Sequence, residues 1–354
     1  MNLKKFIKSN GWIFLTITIT GCLFVVGCGK KQAQPENQNG GQDSSHTASG
    51  IDTTVVPAHL TDSTKINFAL RMKVGDMFRY KAIIAKTASG TFDGTPSSEK
   101  DESDWYFSLK VSSVNKDSSI TVFLQYDSIM YRMSSDQNSV NYSSNDTTTR
   151  DDPNYMNWNG LLGLKFPVTI SSSGEILDIS GVEPVADRIF ESRKQDKSKL
   201  APEIPGQVVQ EITETEIRAV VGHIFLPFPG KEVSKDSMWT RHSSSMVDAF
   251  PANTTITYMF AGFGAGRSAK VNSTMNVAIT EHQVGDSTAL LSLRNGSVTG
   301  TSAAELDIDR GIVKSKDSHI TVSLDYSAVG RGKYASGKGK IKKSISSEVI
   351  IQML

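Results

Sequence analysis

The sequence predicts a mainly β, α+β fold: two antiparallel β-modules, related as an internal repeat and joined by a helical pair. Three observations carry that prediction. Beyond Lys65, apolar residues alternate in period two along most of the chain, the spacing of half-buried strands. Between Val185 and Phe225 the alternation gives way to apolar residues at helical spacing. Short segments on the two sides of that stretch recur in the same order, offset by about 160 residues.

Residues 1–27 come first. Lys4, Lys5 and Lys8 give a positive start, Trp12 to Val26 an uncharged apolar run, and Gly27 a small residue directly before Cys28. This is the build of a secretion leader. About 15 apolar residues fall short of the roughly 20 that span a bilayer, and the small-x-small site of an ordinary signal peptide is poorly matched. The run Phe24-Val25-Val26-Gly27-Cys28, followed by polar Gly29-Lys30-Lys31, resembles the lipobox of bacterial lipoproteins. There a peptidase cuts before the cysteine, and the thiol carries a diacylglycerol. The resemblance implies lipidation at Cys28. Ile19-Thr20-Gly21-Cys22 is an overlapping match, but cleavage there leaves Leu23 to Val26 as an apolar stub on the mature terminus. Cys22 and Cys28 are the two cysteines of the chain, so neither a disulfide framework nor a cysteine metal site is expected in the mature protein.

Residues 28–64 follow as a lipidated flexible tether. The segment is polar, rich in Gly, Ser and Gln, and too poor in large apolar residues to order itself. About 35 such residues hold a body on the order of 30 Å from its anchor.

The body divides into a first β-module at 65–183, a helical linker at 184–226 and a second β-module at 227–354. In the first, Trp105, Phe107, Leu109 and Val111 share one face. After the turn Asn115–Ser119, Ile120, Val122, Leu124 and Tyr126 alternate again, which is an antiparallel hairpin. Further strands are expected at 77–85, 168–170, 176–179, 256–260, 271–279, 289–293, 305–308, 320–326 and 340–351. In the linker, Val185, Ile189 and Phe190, then Val208, Ile212, Ile217, Val220, Val221 and Ile224, fall at helical spacing. Pro202 and Pro205 separate two helices, Thr213-x-x-Glu216 has capping-box form, and Pro227-Phe228-Pro229-Gly230 stops the second helix.

The repeat rests on two pairs of segments. Val74-Gly75-Asp76-Met77-Phe78 parallels Ser234-Lys235-Asp236-Ser237-Met238-Trp239, so Phe78 and Trp239 are expected at equivalent inward positions, each behind an aspartate that bonds the turn backbone. Phe166–Ser180 parallels Ala303–Asp317. With the leader, these motifs are similar to a bacterial lipoprotein family catalogued as a domain of unknown function. They run from Leu70, Gly75, Asp76 and Phe78 through Leu226-Pro227 and Asp236, Ser237 and Trp239 to Leu306, Asp307, Gly311 and Val313. The resemblance covers about residues 65–330 and carries no catalytic residues. The Gly usual before the second Asp is Lys235 here.

Chemistry is sparse. Without the leader lysines, 35 basic residues face 37 acidic ones, which leaves no electrostatic footprint for nucleic acid. Gly332–Lys338 fits GxxxxGK, yet Gly339 stands where a phosphate loop needs Ser or Thr, and an alternating segment follows instead of a helix. Gly262-Phe-Gly264-Ala-Gly266 lacks GxGxxG spacing and reads as a kink or turn, as does Ser171–Gly174; no GxSxG occurs. The six histidines form neither HExxH nor an HxH pair, and Asp146–Asp152 lacks calcium-loop spacing. Trp105, Phe107, Phe123, Tyr126, Trp158, Phe166, Trp239, Tyr258 and Phe260 either fill the core or line an apolar groove.

The expectation is a non-enzymatic, membrane-anchored envelope lipoprotein that binds an apolar ligand or an envelope partner, with no catalytic, cofactor or metal residues. Its contact with membrane lipid is the acylated Cys28. No acidic residue of the kind that resembles an inner-membrane retention signal follows Cys28 directly, which favours the outer membrane, and no cluster acidic enough to resemble a surface-export signal is present, which favours its periplasmic face. An extracytoplasmic hydrolase with a site assembled from distant residues, and a structural envelope component, are the alternatives.

Overall fold

A computed structural model describes residues 60–149, 152–196, 200–201, 203–331 and 337–354. The leader, Cys22, Cys28, most of the tether and most of the GxxxxGK run lie outside the described residues.

Strands dominate the chain. They are β1 (Ile66–Asn67), β2 (Met77–Phe92), β3 (Thr95–Val114), β4 (Ile120–Ser135), β5 (Ser139–Ser143), β6 (Phe166–Ile170) and β7 (Ile176–Ile179), then β8 (Glu232–Val233), β9 (Met238–Val247), β10 (Phe250–Gly264), β11 (Ser268–Ile279), β12 (Gln283–Gly285), β13 (Ala289–Asp307), β14 (Ile312–Gly330) and β15 (Lys338–Met353). Thirteen of them form one antiparallel sheet, with the main path β7-β6-β4-β3-β2-β15-β14-β13-β11-β10-β9. β5 pairs with β4 and β12 with β13; β1 and β8 pair separately with each other. The two β-regions meet in this sheet where β2 pairs with β15.

The expected hairpin forms in register, with Leu109 opposite Leu124 and Val111 opposite Val122. Several strands run longer than their apolar alternation. Ala289–Leu293 and all of Glu305–Ile308 but Ile308, expected as two strands, belong to one nineteen-residue strand, β13. Its middle carries Gly296 and Gly300, and a Cβ on Gly296 would lie 2.6 Å from Ile279 Cδ1. Glycine there lets neighbouring strands pack closely, at the cost of the apolar signal.

The sheet curls until its two ends come close without pairing. Arg241 on β9 reaches Glu175, in the turn before β7, at 3.2 Å. The segment 226–228 fills the gap: Phe228 N–H donates to Ser173 O at 2.7 Å and Trp239 Nε1 donates to Pro227 O at 2.8 Å. Gly174 (φ 84°) and Gly311 (φ 70°) sit in the β6–β7 and β13–β14 turns, and a Cβ would fall 2.0 Å from Leu226 O or 2.1 Å from Ala69 O. Glycine is required at both by conformation and by contact.

The starts of β2 and β9 share a hydrogen-bond pattern. Gly75 N–H donates to Val111 O, and Val111 N–H returns to Asp76 O; Asp236 N–H donates to Phe260 O, and Phe260 N–H returns to Ser237 O. Asp76 Oδ2 accepts from Lys73 N–H at 2.8 Å, and Ser237 Oγ from Ser234 N–H at 3.1 Å. Phe78 and Trp239 accordingly match, exposed by only 7% and 8%. The aspartates do not. Ser237 is the counterpart of Asp76, while Asp236 (φ 68°) takes the left-handed place of Gly75 (φ 93°), because Asp tolerates that conformation better than most residues.

Helices pack on one side of the curl: α1 (Met156–Asn159), α2 (Glu183–Ser192), α3 (Glu203–Ile212) and α4 (Ala219–Val221). Pro205 lies in the first turn of α3, where it removes no intrahelical bond. Thr213 caps nothing. Residues Thr213–Arg218 form a π-helical turn that carries α3 into α4, and Thr213 Oγ1 donates back to Val209 O at 2.7 Å. Among the described residues, no helix is long and apolar enough to cross a membrane.

Most of the aromatic set fills the core. Trp105, Phe107, Tyr126, Phe166, Trp239, Tyr258 and Phe260 are all at or below 8% exposure, in a large cluster with Val220, Val221 and Ile224 from the helical side. Trp158 packs against its edge, and Phe123 lies on the outer face. A second cluster around Phe250, Val298, Val322 and Tyr326 fills the far end of β10–β15.

Candidate functional site

The concave face of the sheet changes character from row to row. One row crosses eight strands as Phe260, Val271, Ala304, Lys316, Ile351, Ala82, Trp105 and Ile129. Seven of these are apolar and buried; the eighth is Lys316. The next row holds Tyr258, Ser273, Ser302, Ser318, Val349, Ile84, Ser103 and Tyr131. Hydroxyls dominate it, with Ser273 and Ser302 bonded at 2.8 Å and Trp105 Nε1 donating to Ser103 Oγ at 2.8 Å. A third row brings in charge. Lys86 Nζ lies 2.8 Å from Asp101 Oδ2 and 3.6 Å from Glu99 Oε1, and Tyr131 OH donates to Asp101. Burial and the neighbouring Asp101 raise the Glu99 carboxyl.

Helical elements face these rows. Glu216 stands in the π-helical turn, and its backbone oxygen accepts from Tyr126 OH. Burial, opposed by a bond from Thr215 and assisted by Glu211, pushes its carboxyl up to about 7. Lys316 is the counterpart on the sheet: burial pulls its ammonium down to about 8. Both side chains nevertheless keep part of their surface open. His223, after α4, is buried, and its imidazole is driven well below the usual range by burial and by the charge of Lys316. π-helical turns are rare and recur at functional sites, and perturbed titratable groups gather there too.

Two open clefts lie elsewhere. One of about 650 Å³ is bordered by Met156, Asn159, Leu162, Arg188 and Glu191; Arg188 is occupied in holding the carbonyls of Gly160 and Leu162. The other, about 540 Å³, runs along Met77, Arg79, Tyr106, Asp127 and Leu354. On the convex face, His319 Nε2 lies 3.2 Å from Asp317 Oδ1 and 3.9 Å from Glu348 Oε1. This trio, with Asp317 and His319 exposed and Glu348 half-buried, is the only group with metal-ligand spacing among the described residues, and charge pairing on neighbouring strands explains it without an ion.

The single site residue expected from sequence, Cys28, is outside the described residues. Lys316 was not singled out, and Glu216 only as a capping-box residue, although a signal was present. Lys316 is in phase with Ile320, Val322 and Leu324, and Glu216 lies four residues from both Ile212 and Val220. A charged residue inside an apolar stripe is the mark of a buried polar group.

Comparison with known proteins gives one family. A family described as "Family of unknown function (DUF6263)" matches residues 117–313, more than half of the chain. No curated protein matches. A lipovitellin structure described by its lipid–protein interactions aligns with a TM-score of 0.45 at 12% identity, covering 80% of this chain and 25% of that one. The chain thus spans a quarter of the length of that protein. OpdQ of Pseudomonas aeruginosa aligns with a TM-score of 0.22 at 5% identity, covering 79% and 99%. An outer membrane channel of Pseudomonas putida F1 aligns at 0.22 and 8%, covering 80% and 97%.

Proposed function

From the premise that the chain belongs to the DUF6263 family of unknown function, we propose that it is a non-enzymatic envelope lipoprotein, anchored through acylated Cys28 and holding an apolar ligand inside its curled sheet. The observation that carries the ligand part is the partly open surface of Glu216 and Lys316 at depth, between a rare helical turn and the concave face. The anchor rests on the leader and on the small residue before Cys28, and with it go the outer membrane and its periplasmic face. The internal repeat belongs to the same reading, supported by the matching starts of β2 and β9.

Two measurements test it. Acyl labelling should be lost in Cys28→Ser; retention there with loss in Cys22→Ser moves the anchor. Mass spectrometry of lipid extracts from the purified mature protein should find an amphiphile in near-stoichiometric amount besides the anchor. A protein free of any such molecule, and unable to take one up, would return the aromatic set to a filled core alone.

A further inference from the structure

Seven large apolar side chains are exposed among the described residues, and six of them gather at one end of the curled sheet. Val74 precedes β2, Met77 opens it, Val114 closes β3, Leu177 lies in β7, Met238 opens β9 and Leu354 follows β15. The antiparallel ladder brings these strand ends to one rim. Met77 stands opposite Lys110 near the end of β3, and Met238 opposite Met259 near the end of β10. Leu354 N–H donates to Arg79 O at 2.9 Å. Ile176 pairs with Ile170, Ile170 with Ile120, and Ile120 with Val114. Met77 and Met238 hold matching positions in the two strand starts, 56% and 61% exposed, and each points outward because its neighbour, Phe78 or Trp239, points inward. Half-buried Phe123, which the core does not absorb, lies beyond Lys110 in the row of Met77. Scattered apolar residues need no explanation, but a set confined to one rim marks an interaction surface.

Two observations say what covers it. The chain enters the body at this rim: Asp62 bonds Lys235 at 2.7 Å, just before Met238, and lies beside Gly262 near the end of β10. The segment that leads back to Cys28 therefore joins the body among these apolar side chains. The second observation is charge. Lys73, Lys110 and Lys116 are exposed beside Val74, Met77 and Val114 and form no ion pair among the described residues. The aspartates of the same turns accept bonds within them, Asp76 from Lys73 N–H and Asp117 from Ser119.

We propose that this rim docks on the phospholipid bilayer that holds the anchor, with the apolar side chains entering the headgroup boundary and the three lysines reaching lipid phosphates. The inference rests on the anchor reading above and goes beyond it by giving the body an orientation. A flexible tether alone leaves a body free to face any direction. Apolar side chains flanked by lysines hold one end down, since lysine stems lie along apolar surface while their ammonium groups reach out to charge. The tether keeps the bilayer at high effective concentration, so weak insertion is enough.

The test floats the acylated mature protein with vesicles of phosphatidylethanolamine and phosphatidylglycerol. With Cys28 acylated, Met77→Cys, Met238→Cys or Gln137→Cys supplies the one free thiol for a polarity-sensitive fluorophore; Gln137 is exposed in the β4–β5 turn at the opposite end. Spin-labelled lipid should quench the Met77 and Met238 labels about threefold more than the Gln137 label, as for side chains in the headgroup boundary. Met77→Glu combined with Met238→Glu should remove the quenching of a label at Val114→Cys and leave the thermal midpoint unchanged, because both methionines are exposed. Floated protein quenched equally at all three positions, or at none, overturns the docked rim and leaves the anchor standing. Quenching that survives the two glutamates overturns the apolar contact. A blue shift of the Met77 and Met238 labels without lipid, growing with protein concentration, gives the rim to a second copy instead. Protein that does not float overturns the anchor and the rim contact together.

Discussion

Replacing Glu216 by Gln should stabilise the protein, and only at neutral to alkaline pH. Glu216 sits in the π-helical turn with its carboxyl moved from 4.5 to about 7, first by burial and secondarily by Glu211. A group whose folded value is raised contributes nothing below pH 4.5, where both states hold the proton. Between 4.5 and 7 the unfolded chain releases it and the folded one does not, so stability falls with rising pH. Above 7 both are ionised and a constant penalty remains. At ~1.4 kcal/mol per pH unit that penalty is about 3 kcal/mol; because part of the side chain is open, about 2 kcal/mol is the working figure. Glutamine keeps the volume and the bond from Thr215 but never ionises. Urea unfolding at pH 4.5 and pH 8 should give coincident curves at the lower pH, with the Glu216→Gln variant about 2 kcal/mol more stable at the higher. An offset of the same size at both, or destabilisation at pH 8, would refute the burial of an ionisable Glu216.

Two further perturbations address the frame. Phe78→Ala and Trp239→Ala each remove a large buried side chain, and Trp239 also loses its bond to Pro227 and its stacking on Tyr258 at 5.5 Å; each should cost about 3 to 5 kcal/mol, and unchanged thermal midpoints for both would mean that they are not core residues. Gly174→Ala and Gly311→Ala force a Cβ against a carbonyl from a left-handed backbone, so each should lose more than about 2 kcal/mol by the same melts, and a neutral result would place those carbonyls elsewhere.

The β-class and the hairpin from Trp105 to Tyr126 were legible because an apolar and a solvent face alternate there without interruption. Strand lengths were not. Lys86, Glu99 and Asp101 face inward yet are charged, so the alternation that identifies an inward face stops where their mutual pairing begins. The same blindness hid Lys316 and Glu216, whose phase was correct and whose residue type argued for the surface. Thr213 and Glu216 stood at capping-box spacing, but capping requires a helix to start there. The preceding turn of α3 continues instead, and the hydroxyl turns back on Val209. Asp76 and Asp236 misled by one residue, since the sequence shows which side chain is present and not which of two neighbours takes a left-handed backbone.

The pairing of β2 with β15 has a kinetic consequence. Tyr80 meets Met353 and Phe92 meets Ile341, so a strand made early waits for one made much later. Until β15 arrives, β2 and β14 each present a long unpaired edge, the kind of template on which chains associate wrongly. Contacts this distant in sequence also slow folding. A chain delivered unfolded to its compartment would therefore remain vulnerable longest at this seam, and a partner that holds it there before β15 docks would act on assembly without touching the finished interior.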